Sequence, residues 1–273
     1  MAKRLAWALV LAVAGLLLYG LAIEPYRLEL VRVQIKDDYF GRALEGVKVV
    51  QVSDLHIGAP GKREEALLRL LARLKPDLLL LTGDYVKWRG DYEGALGFLA
   101  QLKARLGVYG VLGDYDWSLS RRACLFCHQP GSAAPTGRHR VRFLKGEALR
   151  LAPRGREVWI GAYDPEAQES DGEPGTLKVA RPTIMLLHNP LQFDRVEASA
   201  PLLCLAGDTH GGQLPLPRLF WRAIGYEKCL KYRAGLFERQ DGARLYVSRG
   251  VGMSHLPVRL VSRPEVTVFE FVR

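Results

Sequence analysis

The sequence lacks the cysteine content, repeats and basic tail that are typical of several protein classes. It contains only four cysteines among 273 residues, which is few for a disulfide scaffold. No segment of about 20–50 residues recurs along the chain, which excludes a repeat array. The basic residues are scattered, mostly as arginine, and no lysine-rich tail is present. We therefore expect neither a solenoid nor a protein that binds nucleic acid through a charged tail.

The composition indicates one folded domain with a basic charge balance. With 48% hydrophobic residues, a chain of this length can bury one sizeable core. We predict a single domain over residues 27–273, preceded by an N-terminal membrane anchor in residues 1–26. The formal net charge of +10 favours anionic partners, and the scattered arginines favour phospholipid headgroups and phosphorylated substrates over nucleic acid. The oligomeric state is left undetermined.

One apolar run is long enough to cross a bilayer. Leu5 to Ile23 carries no charge and follows a short basic head. At ~1.5 Å per residue this run reaches roughly 29 Å, about one hydrocarbon core. A cleaved signal peptide, with Ala12-Val13-Ala14 as its cleavage site, is the alternative, but it leaves only a short apolar region before the cut. We favour an uncleaved single-pass anchor.

Apolar runs alternate with helical stripes in the first half of the chain. Leucines at positions 67, 68, 71 and 74 give Arg63 to Leu74 a helical stripe, and a second helix is predicted from Tyr92 to Leu106. This strand-helix order predicts a parallel sheet with crossover helices, and the second half is richer in strands. The predicted strands are Val47–Val52, Leu78–Leu81, Val108–Leu112, Val141–Leu144, Glu157–Gly161, Thr183–Leu187, Leu202–Ala206, Arg244–Ser248 and Glu265–Val272.

Potential metal ligands stand directly after four of these predicted strands. Asp54 and His56 follow the first, Asp84 follows the second, and His188 and His210 follow two later ones. A strand that stops at a carboxylate or imidazole and then turns through glycine presents ligands at the rim of an α/β sheet. Four such ends predict a dinuclear metal site rather than four separate turns. Two divalent ions ~3.5–4 Å apart clamp a phosphoryl group and activate a shared water, and mixed Asp and His ligands suit Mn²⁺, Fe or Zn²⁺.

The order of these motifs carries a family resemblance. Asp54-x-His56, Gly83-Asp84, Gly113-Asp114-Tyr115-Asp116, His188 and Gly207-Asp208-Thr209-His210 together resemble the calcineurin-like metallophosphoesterases. The likeness runs from about Ile23 to the C-terminus, and the branch it resembles is that of membrane-associated bacterial phosphodiesterases similar to UDP-2,3-diacylglucosamine hydrolase.

The resemblance implies an α/β fold, a four-layer α/β/β/α sandwich. It implies a metal-dependent phosphoric ester hydrolase that cleaves a phosphodiester or pyrophosphate. The membrane anchor favours a lipid-linked substrate for this hydrolase. The predicted location is the bacterial inner membrane with the catalytic domain in the periplasm. Basic residues flank both ends of the apolar run, so a domain on the cytoplasmic face is the alternative.

Carried over by position, the resemblance implies two ligand sets that share Asp84. The first metal is held by Asp54, His56, Asp84 and His210, and the second by Asp84, Asp114, His188 and Asp208. The family usually has Asn at position 114 and His at position 208, so two carboxylates stand here in their place. Four carboxylates around two dications favour harder ions such as manganese over zinc.

The position after Asp114 also departs from the family pattern. The family normally has a histidine there that protonates the leaving oxygen, whereas this chain has Tyr115. A phenol with a pKa of about 10 is poorly matched to acid–base work near neutrality. We predict catalytic roles for Asp84, Tyr115 and Asp116, with Asp116 orienting Tyr115. The alternative is a weakened or inactive family member that acts as a metal-binding or c-type-haem-binding membrane protein.

A short motif in the middle of the chain supports the haem alternative. Cys124-Leu125-Phe126-Cys127-His128 has the Cys-x-x-Cys-His spacing at which haem c attaches covalently, with His128 as an axial ligand. A disulfide between Cys124 and Cys127, or two free thiols, is the other interpretation. Cys204 lies in an apolar run and is predicted to be a buried small side chain.

Two arginines and one apolar segment complete the predicted functional features. Arg249 and Arg259 are candidates for bidentate binding of a substrate phosphate, with a structural role as the alternative for each. The segment Pro215 to Trp221 is apolar and irregular. It is predicted either to dip into the bilayer edge beside the anchor or to form a buried flap.

Overall fold

Two six-stranded β-sheets form the centre of the computed structural model, which describes residues 1–87, 92–116, 137–163, 169–170, 173–254 and 256–273. The strands are β1 Glu29–Lys36, β2 Val49–Val52, β3 Leu78–Thr82, β4 Val108–Val111, β5 Val141–Phe143, β6 Ala148–Leu151, β7 Val158–Ala162, β8 Glu169–Ser170, β9 Glu173–Pro174, β10 Leu177–Val179, β11 Thr183–Leu186, β12 Val196–Ala198, β13 Leu202–Ala206, β14 Gly235–Glu238, β15 Arg244–Val247 and β16 Glu265–Val272. The α-helices are α1 Ala2–Ala22, α2 Asp38–Leu44, α3 Lys62–Leu74, α4 Tyr92–Leu99, α5 Arg218–Ala223 and α6 Glu227–Lys231, and short 3-10 turns span Glu24–Tyr26, Pro190–Arg195 and His210–Gly212.

The first sheet contains the parallel unit that the sequence predicts. Its strand order is β1-β16-β2-β3-β4-β5. Strands β2 to β5 run parallel to one another, with α3 and α4 on the connections between β2, β3 and β4. Strand β16 returns from the C-terminus and pairs antiparallel with β2 and parallel with β1. The carboxyl ends of β2, β3 and β4 therefore lie along one edge of the sheet.

The second sheet also has a parallel centre. Its order is β14-β15-β13-β11-β7-β6, and β7, β11, β13 and β15 run parallel to one another. Antiparallel strands β14 and β6 close its two edges. The pairs β10-β12 and β8-β9 form two further small sheets.

Three layers of apolar side chains hold these sheets together. The central layer joins inward-facing residues of both sheets, such as Leu80 and Val111 of the first and Ile184 and Leu203 of the second. A second layer lies between the first sheet and helices α3 and α4, and a third covers the outer face of the second sheet, where Phe193 from a 3-10 turn is buried. Burial on both faces explains why these strands are continuous apolar runs. The architecture confirms the predicted α/β sandwich.

The end of one helix and one long strand differ from the sequence prediction. The helix predicted from Tyr92 to Leu106 ends at Leu99. The chain then turns, and Leu102 is buried in the core. The Leu106 N–H donates to Asp77 O at 2.7 Å just before strand β4 begins. Strand β1 was not predicted at all, because its residues are only half-buried at the edge of the sheet.

Helix α1 is apolar and exposed along most of its length. The segment Lys3–Tyr26 has a mean hydropathy of 2.3 and is 6% buried, and it is long enough to cross a membrane. Its C-terminal end contacts the rest of the protein. Gly20 O accepts the Arg259 N–H at 2.9 Å, and the Glu24 carboxylate accepts the Ser262 N–H at 2.6 Å.

Candidate metal centre

The carboxyl ends of strands from both sheets converge at one place. Asp54 and Asp84 follow β2 and β3 of the first sheet, and His188 and Asp208 follow β11 and β13 of the second. The structure brings together all seven of the predicted ligands. They form three overlapping groups, Asp54–His56–His210, Asp54–Asp84–His188 and Asp114–His188–Asp208, within each of which the ligand atoms lie within 4.8 Å of one another.

The backbone at these strand ends adopts an unusual conformation. Asp54, His56, Asp84, Asp208 and His210 all have positive φ, between 44° and 71°. Non-glycine residues rarely adopt this left-handed region, and each such residue costs roughly 1 kcal/mol or more unless its surroundings impose it. The sheet and the surrounding hydrogen bonds therefore force the backbone to turn sharply at the end of each strand. These turns direct the side chains toward the site.

Glycine allows the closest approach between these turns. A Cβ atom on Gly207 would lie 2.0 Å from Ser53 Oγ and 2.3 Å from Asp54 Oδ2, and one on Gly113 would lie 2.2 Å from Asp84 Oδ1. Gly211 and Gly212 have positive φ, which glycine adopts without steric cost. The glycines beside the aspartates thus leave the room that the carboxylates occupy.

The first ligand group has the spacing of donors around one cation. His56 Nε2 lies 3.0 Å from His210 Nε2, and His210 Nε2 lies 3.6 Å from Asp54 Oδ1. Two ligands 90° apart on an ion, each at ~2.1 Å, are separated by about 3.0 Å, and tetrahedral ligands by a little more. Asp54, His56 and His210 are all buried. Their donor atoms face a common point.

The second group is built around His188. Its Nδ1 lies 2.8 Å from Thr82 O, so that this nitrogen donates its proton to the carbonyl and Nε2 is left as the basic atom. Nε2 is buried and has no hydrogen-bond partner among the described residues; it lies 3.5 Å from Asp84 Oδ1. Histidines that bind metals are commonly oriented in this way, with one nitrogen fixed by a carbonyl.

Asp84 lies between the two groups. Its Oδ2 is 3.5 Å from His56 Nε2, and its Oδ1 is 3.5 Å from His188 Nε2. One oxygen therefore faces each imidazole, as a carboxylate that bridges two cations requires. The sequence resemblance implied this bridging position.

Burial and mutual charge interactions shift the pKa values of the residues in the site. Burial raises the pKa of Asp54 to about 7 and that of Asp84 to about 6, because the carboxylates lose hydration. Burial acts in the opposite direction on His188, but the carboxylates of Asp84, Asp208 and Asp54 outweigh it and raise its pKa to about 10. A divalent cation would neutralise these carboxylates, so the donor set fits such an ion.

Asp116 binds the backbone beside Asp84. It is fully buried, and its carboxylate accepts hydrogen bonds from the N–H groups of Asp84, Tyr85 and Gly113, each at 2.8 Å. Burial, with the nearby Asp84 carboxylate, raises its pKa to about 8. Asp116 thus joins the turn that carries Asp84 to the turn after β4. These contacts give Asp116 a role in positioning Asp84, and its role in orienting Tyr115 stays a prediction.

Tyr115 lies at the rim of the site. Its ring packs edge-on against His56, with 4.9 Å between ring centroids, and its N–H donates to Asp84 Oδ1 at 3.0 Å. Burial and the carboxylates of Asp84, Asp114 and Asp208 raise the pKa of its phenol to about 12. The phenol is therefore close enough to meet a substrate but is a weak acid.

The two arginines proposed for substrate binding are committed to internal contacts. Arg259 is completely buried, and its guanidinium donates to backbone carbonyls, including those of Gly252 and Ser262, while its Nη2 lies 3.1 Å from His210 Nδ1. A buried side chain of this kind has no surface for a substrate, so we correct its role to positioning His210. Arg249 is bound to Glu265 and, at 2.9 Å, to Glu29, which also indicates a structural role.

Sequence reasoning missed one charged residue in the site. Lys228, on α6, forms a salt bridge with both oxygens of Asp208. Twenty residues separate the two along the chain, in a region without regular periodicity, so no sequence signal indicated the pair. The backbone N–H of Asp208 donates to Asp54 Oδ1 at 2.9 Å. This hydrogen bond connects Asp208 to the first ligand group.

The predicted cysteine features have different outcomes. Cys124, Cys127 and His128, the predicted haem attachment, lie outside the described residues. Cys204 is fully buried within β13, as predicted. Cys229 is also buried, with its thiol 3.8 Å from Thr209 O.

Comparison with known proteins agrees with this geometry. A family model described as calcineurin-like phosphoesterase matches residues 47–210, which is more than half of the chain and includes all seven candidate ligands. The chain is 29% identical over 254 residues to the phosphodiesterase YaeI of Escherichia coli, covering 91% of this chain and 90% of the relative. It is 26% identical over 303 residues to the UDP-2,3-diacylglucosamine pyrophosphatase LpxG of Chlamydia muridarum, covering 90% of each.

A longer relative is also similar. The chain is 29% identical over 279 residues to a bovine transmembrane protein with a metallophosphoesterase domain, and the match covers 94% of this chain but only 59% of that protein. The family match and the converging Asp and His side chains lead to one conclusion: this chain belongs to the calcineurin-like metallophosphoesterase family and is a phosphoesterase.

Proposed function

We propose that this protein is a membrane-anchored hydrolase that uses two divalent cations to cleave a phosphodiester or pyrophosphate. The observation that carries the proposal is the position of Asp84, whose two oxygens each lie 3.5 Å from a histidine of a different ligand group. We assign Asp54, His56, Asp84 and His210 to the first cation. Asp84, Asp114, His188 and Asp208 are assigned to the second.

The surrounding residues would fix the ligands and receive the substrate. When bound, two divalent cations polarise a phosphoryl group and lower the pKa of water in the site. Thr82 O holds the His188 ring, Asp116 holds the turn of Asp84, and Arg259 holds the His210 ring. Tyr115 stands at the entrance, where its phenol can donate a hydrogen bond to the leaving oxygen. Four carboxylates among the ligands favour Mn²⁺ or iron over Zn²⁺.

The proposed lipid-linked substrate rests on the position of the apolar surface. The end of α1 is hydrogen-bonded to Arg259, which contacts His210, so the apolar helix and the site are separated by one residue. We name as the membrane-side surface the exposed apolar residues Leu219, Phe220, Ile224, Leu256 and Val261. The names of YaeI, a phosphodiesterase, and LpxG, a UDP-2,3-diacylglucosamine pyrophosphatase, support a phosphodiester or a pyrophosphate, the latter attached to acyl chains.

The membrane-side surface is connected to the end of α1 through one loop. Gln213 donates to Leu256 O at 2.8 Å and accepts at its own carbonyl from the Leu260 N–H at 2.9 Å, next to Arg259. Trp221 is buried, whereas its neighbours Leu219 and Phe220 are exposed by 77% and 43%. We propose residues 1–26 as an inner-membrane anchor, with the domain 27–273 on the periplasmic side and this surface toward the bilayer.

The second candidate is a family member with weak hydrolytic activity. One observation favours it: burial and three nearby carboxylates raise the pKa of Tyr115 to about 12, which makes proton donation to a leaving group slow. In that case the protein would act mainly by binding metal in the membrane. Covalent haem at Cys124 and Cys127 stays a prediction, and a Soret band that survives denaturation tests it.

Hydrolysis of a model diester separates the two candidates. Purified full-length protein in detergent should hydrolyse bis-(p-nitrophenyl) phosphate with added Mn²⁺. Asp84→Asn should lower kcat/KM by at least about 10²-fold, because it removes a carboxylate shared by both cations. Asp38→Asn, at an exposed carboxylate on α2, is the matched control and should behave as wild type. Equal rates for the Asp84 and Asp38 variants would refute the proposed site.

A further inference from the structure

Lys228 binds a carboxylate that is also a ligand of the proposed second cation. Its ammonium contacts both oxygens of Asp208. The side chains of Lys228 and Asp208 are only 16% and 7% exposed, so the pair is shielded from water on most sides. Asp208, Asp114 and His188 form one of the three groups of candidate ligands. Lys228 therefore binds directly to one of the donor residues of the second cation.

The surrounding structure holds Lys228 in this position. The ammonium lies 4.9 Å from the centroid of the Tyr226 ring, a cation–π distance. The adjacent Cys229 is buried against Thr209 O, and the Lys228 carbonyl accepts the Tyr232 N–H at 2.9 Å. The short helix α6 is thus packed beside the strand end that carries Asp208. Lys231, on the same helix, instead points to Asp194 at 2.7 Å.

The two candidate cation positions differ in this respect. At the first position, the carboxylate of Asp54 accepts the backbone N–H of Asp208 at 2.9 Å and lies 3.6 Å from His210 Nε2. At the second position the ammonium already engages both Asp208 oxygens, and a cation must displace it from at least one of them. Both partners carry a charge, and such hydrogen bonds are among the stronger ones in proteins.

We propose that Lys228 is an internal competitor for the second cation. The first position fills at low metal concentration, whereas the second fills only when the cation displaces the ammonium from Asp208. The occupancy of the second position, and with it the assembly of the dinuclear centre, then depends on how much free metal surrounds the protein. This inference rests on the proposed dinuclear centre and adds a residue that controls how it loads.

Metal binding by four forms of the full-length protein tests the competition. Each form is stripped with a chelator, titrated with Mn²⁺ in detergent by equilibrium dialysis, and examined by electron paramagnetic resonance for spin coupling between neighbouring ions. The forms are wild type, Lys228→Met, Lys228→Arg, and Lys231→Met as the matched control on the same helix. Lys228→Gln is a second neutral variant in case Lys228→Met does not fold.

The expected result is a change confined to the second equivalent of metal. Wild type should bind two equivalents with separated affinities. Lys228→Met should bind the second at least about tenfold more tightly, because a competing charge-assisted interaction is removed, with the first unchanged and spin coupling at lower Mn²⁺ concentration. Lys228→Arg and Lys231→Met should resemble wild type.

Two other results would overturn the inference in distinguishable ways. Unchanged or weaker binding of the second equivalent in both neutral Lys228 variants would refute the competition but leave the dinuclear centre intact. Binding of fewer than two equivalents by wild type and by both neutral variants would refute the dinuclear centre, and the competition with it.

Discussion

At the scale of single residues, Arg259 illustrates how a buried charge supports the site. Its guanidinium binds four backbone carbonyls and one ring nitrogen of His210. Burial lowers the pKa of this arginine to about 9. The buried carbonyls would lose their donors if the guanidinium were removed, and an unsatisfied buried polar group costs about 1–3 kcal/mol.

We therefore expect Arg259→Leu to lower the free energy of unfolding by about 2–5 kcal/mol, measured by urea denaturation. Arg69→Leu is the matched control. Arg69 is exposed and its ion pair with Glu65 spans 3.5 Å on the surface of α3, so its loss should change stability by less than about 1 kcal/mol. A normally stable Arg259→Leu protein whose KM alone rises would instead indicate a substrate contact.

Tyr115 gives a prediction about the chemical step. Its raised pKa, about 12, makes it a weak proton donor. A histidine at this position can donate a proton near neutrality, and general acid catalysis typically contributes about 10²–10⁴-fold. Tyr115→His should therefore raise kcat on a diester with a poor leaving group by about 10²-fold. Tyr115→Phe should lower kcat by less than about tenfold, because it removes a hydrogen bond to the leaving oxygen but no effective acid. A large loss of kcat in Tyr115→Phe would show that the phenol already acts as the acid.

At the scale of elements, the turn after β13 depends on the absence of a side chain at Gly207. A Cβ atom there would meet Ser53 Oγ at 2.0 Å and Asp54 Oδ2 at 2.3 Å. Gly207→Ala should displace Asp54, weaken binding of the first Mn²⁺ equivalent by at least about tenfold, and destabilise the fold by about 1–3 kcal/mol.

The matched control for this substitution is Gly97→Ala. Gly97 is exposed on α4, and no atom lies within 4 Å of an added Cβ. Alanine in a helix should stabilise the protein by about 0.5–1 kcal/mol and leave metal binding unchanged. Measurement of metal affinity and thermal unfolding for both variants checks the pair. Normal metal affinity in Gly207→Ala would contradict the close packing.

The elements that the sequence predicts well are those with a strong local signal. Strands β2, β3 and β13 are buried on both faces, so each is an apolar run, interrupted in β2 only by Gln51, that ends close to a polar residue. Strand β1 carries no such signal. It is half-buried, and its partner β16 lies more than 200 residues away in the sequence. The end of α4 was misjudged because the apolar spacing continues through Leu102 after the helix has ended.

The same distinction applies to the site. The aspartates and histidines are recognisable because each follows a strand at a short, regular distance, and parallel strands bring such ends to one edge. The partners of these ligands depend on tertiary packing instead. Asp116 binds the backbone of Asp84, and Lys228 reaches Asp208 from a short helix that has no sequence pattern of its own. Residue type alone suggested a catalytic role for the first and indicated nothing for the second.

At the scale of the whole molecule, the buried carboxylates link stability to pH and to metal. The pKa values of Asp54 and Asp84 are raised from 3.8 to about 7 and about 6, and that of His188 from 6.5 to about 10. In each case the folded protein binds more protons than the unfolded chain, so the free energy of unfolding falls as pH rises through these windows.

After chelation of metal, the melting temperature should therefore be lower at pH 8 than at pH 5. Excess Mn²⁺ should raise it most at pH 8, because a cation that binds only the folded state stabilises it. A variant with Asp54→Asn and Asp84→Asn should show a weaker dependence on pH. Thermal unfolding followed by circular dichroism checks this. A chelated protein that gains stability between pH 5 and pH 8 would contradict the assigned direction of these shifts.

The proposed orientation on the bilayer can be tested at the membrane-side surface. Leu219 is 77% exposed on α5, and burial of an apolar side chain of this size in lipid contributes about 1.5–3 kcal/mol. In full-length protein reconstituted into vesicles, a tryptophan introduced by Leu219→Trp should be quenched by brominated acyl chains beyond the wild-type signal. Leu236→Trp, at a 43% exposed leucine on β14, is the control and should add no quenching. Added quenching in neither variant would mean that α1 alone contacts the membrane. The site would then open to water, and a soluble phosphodiester would become the better candidate substrate.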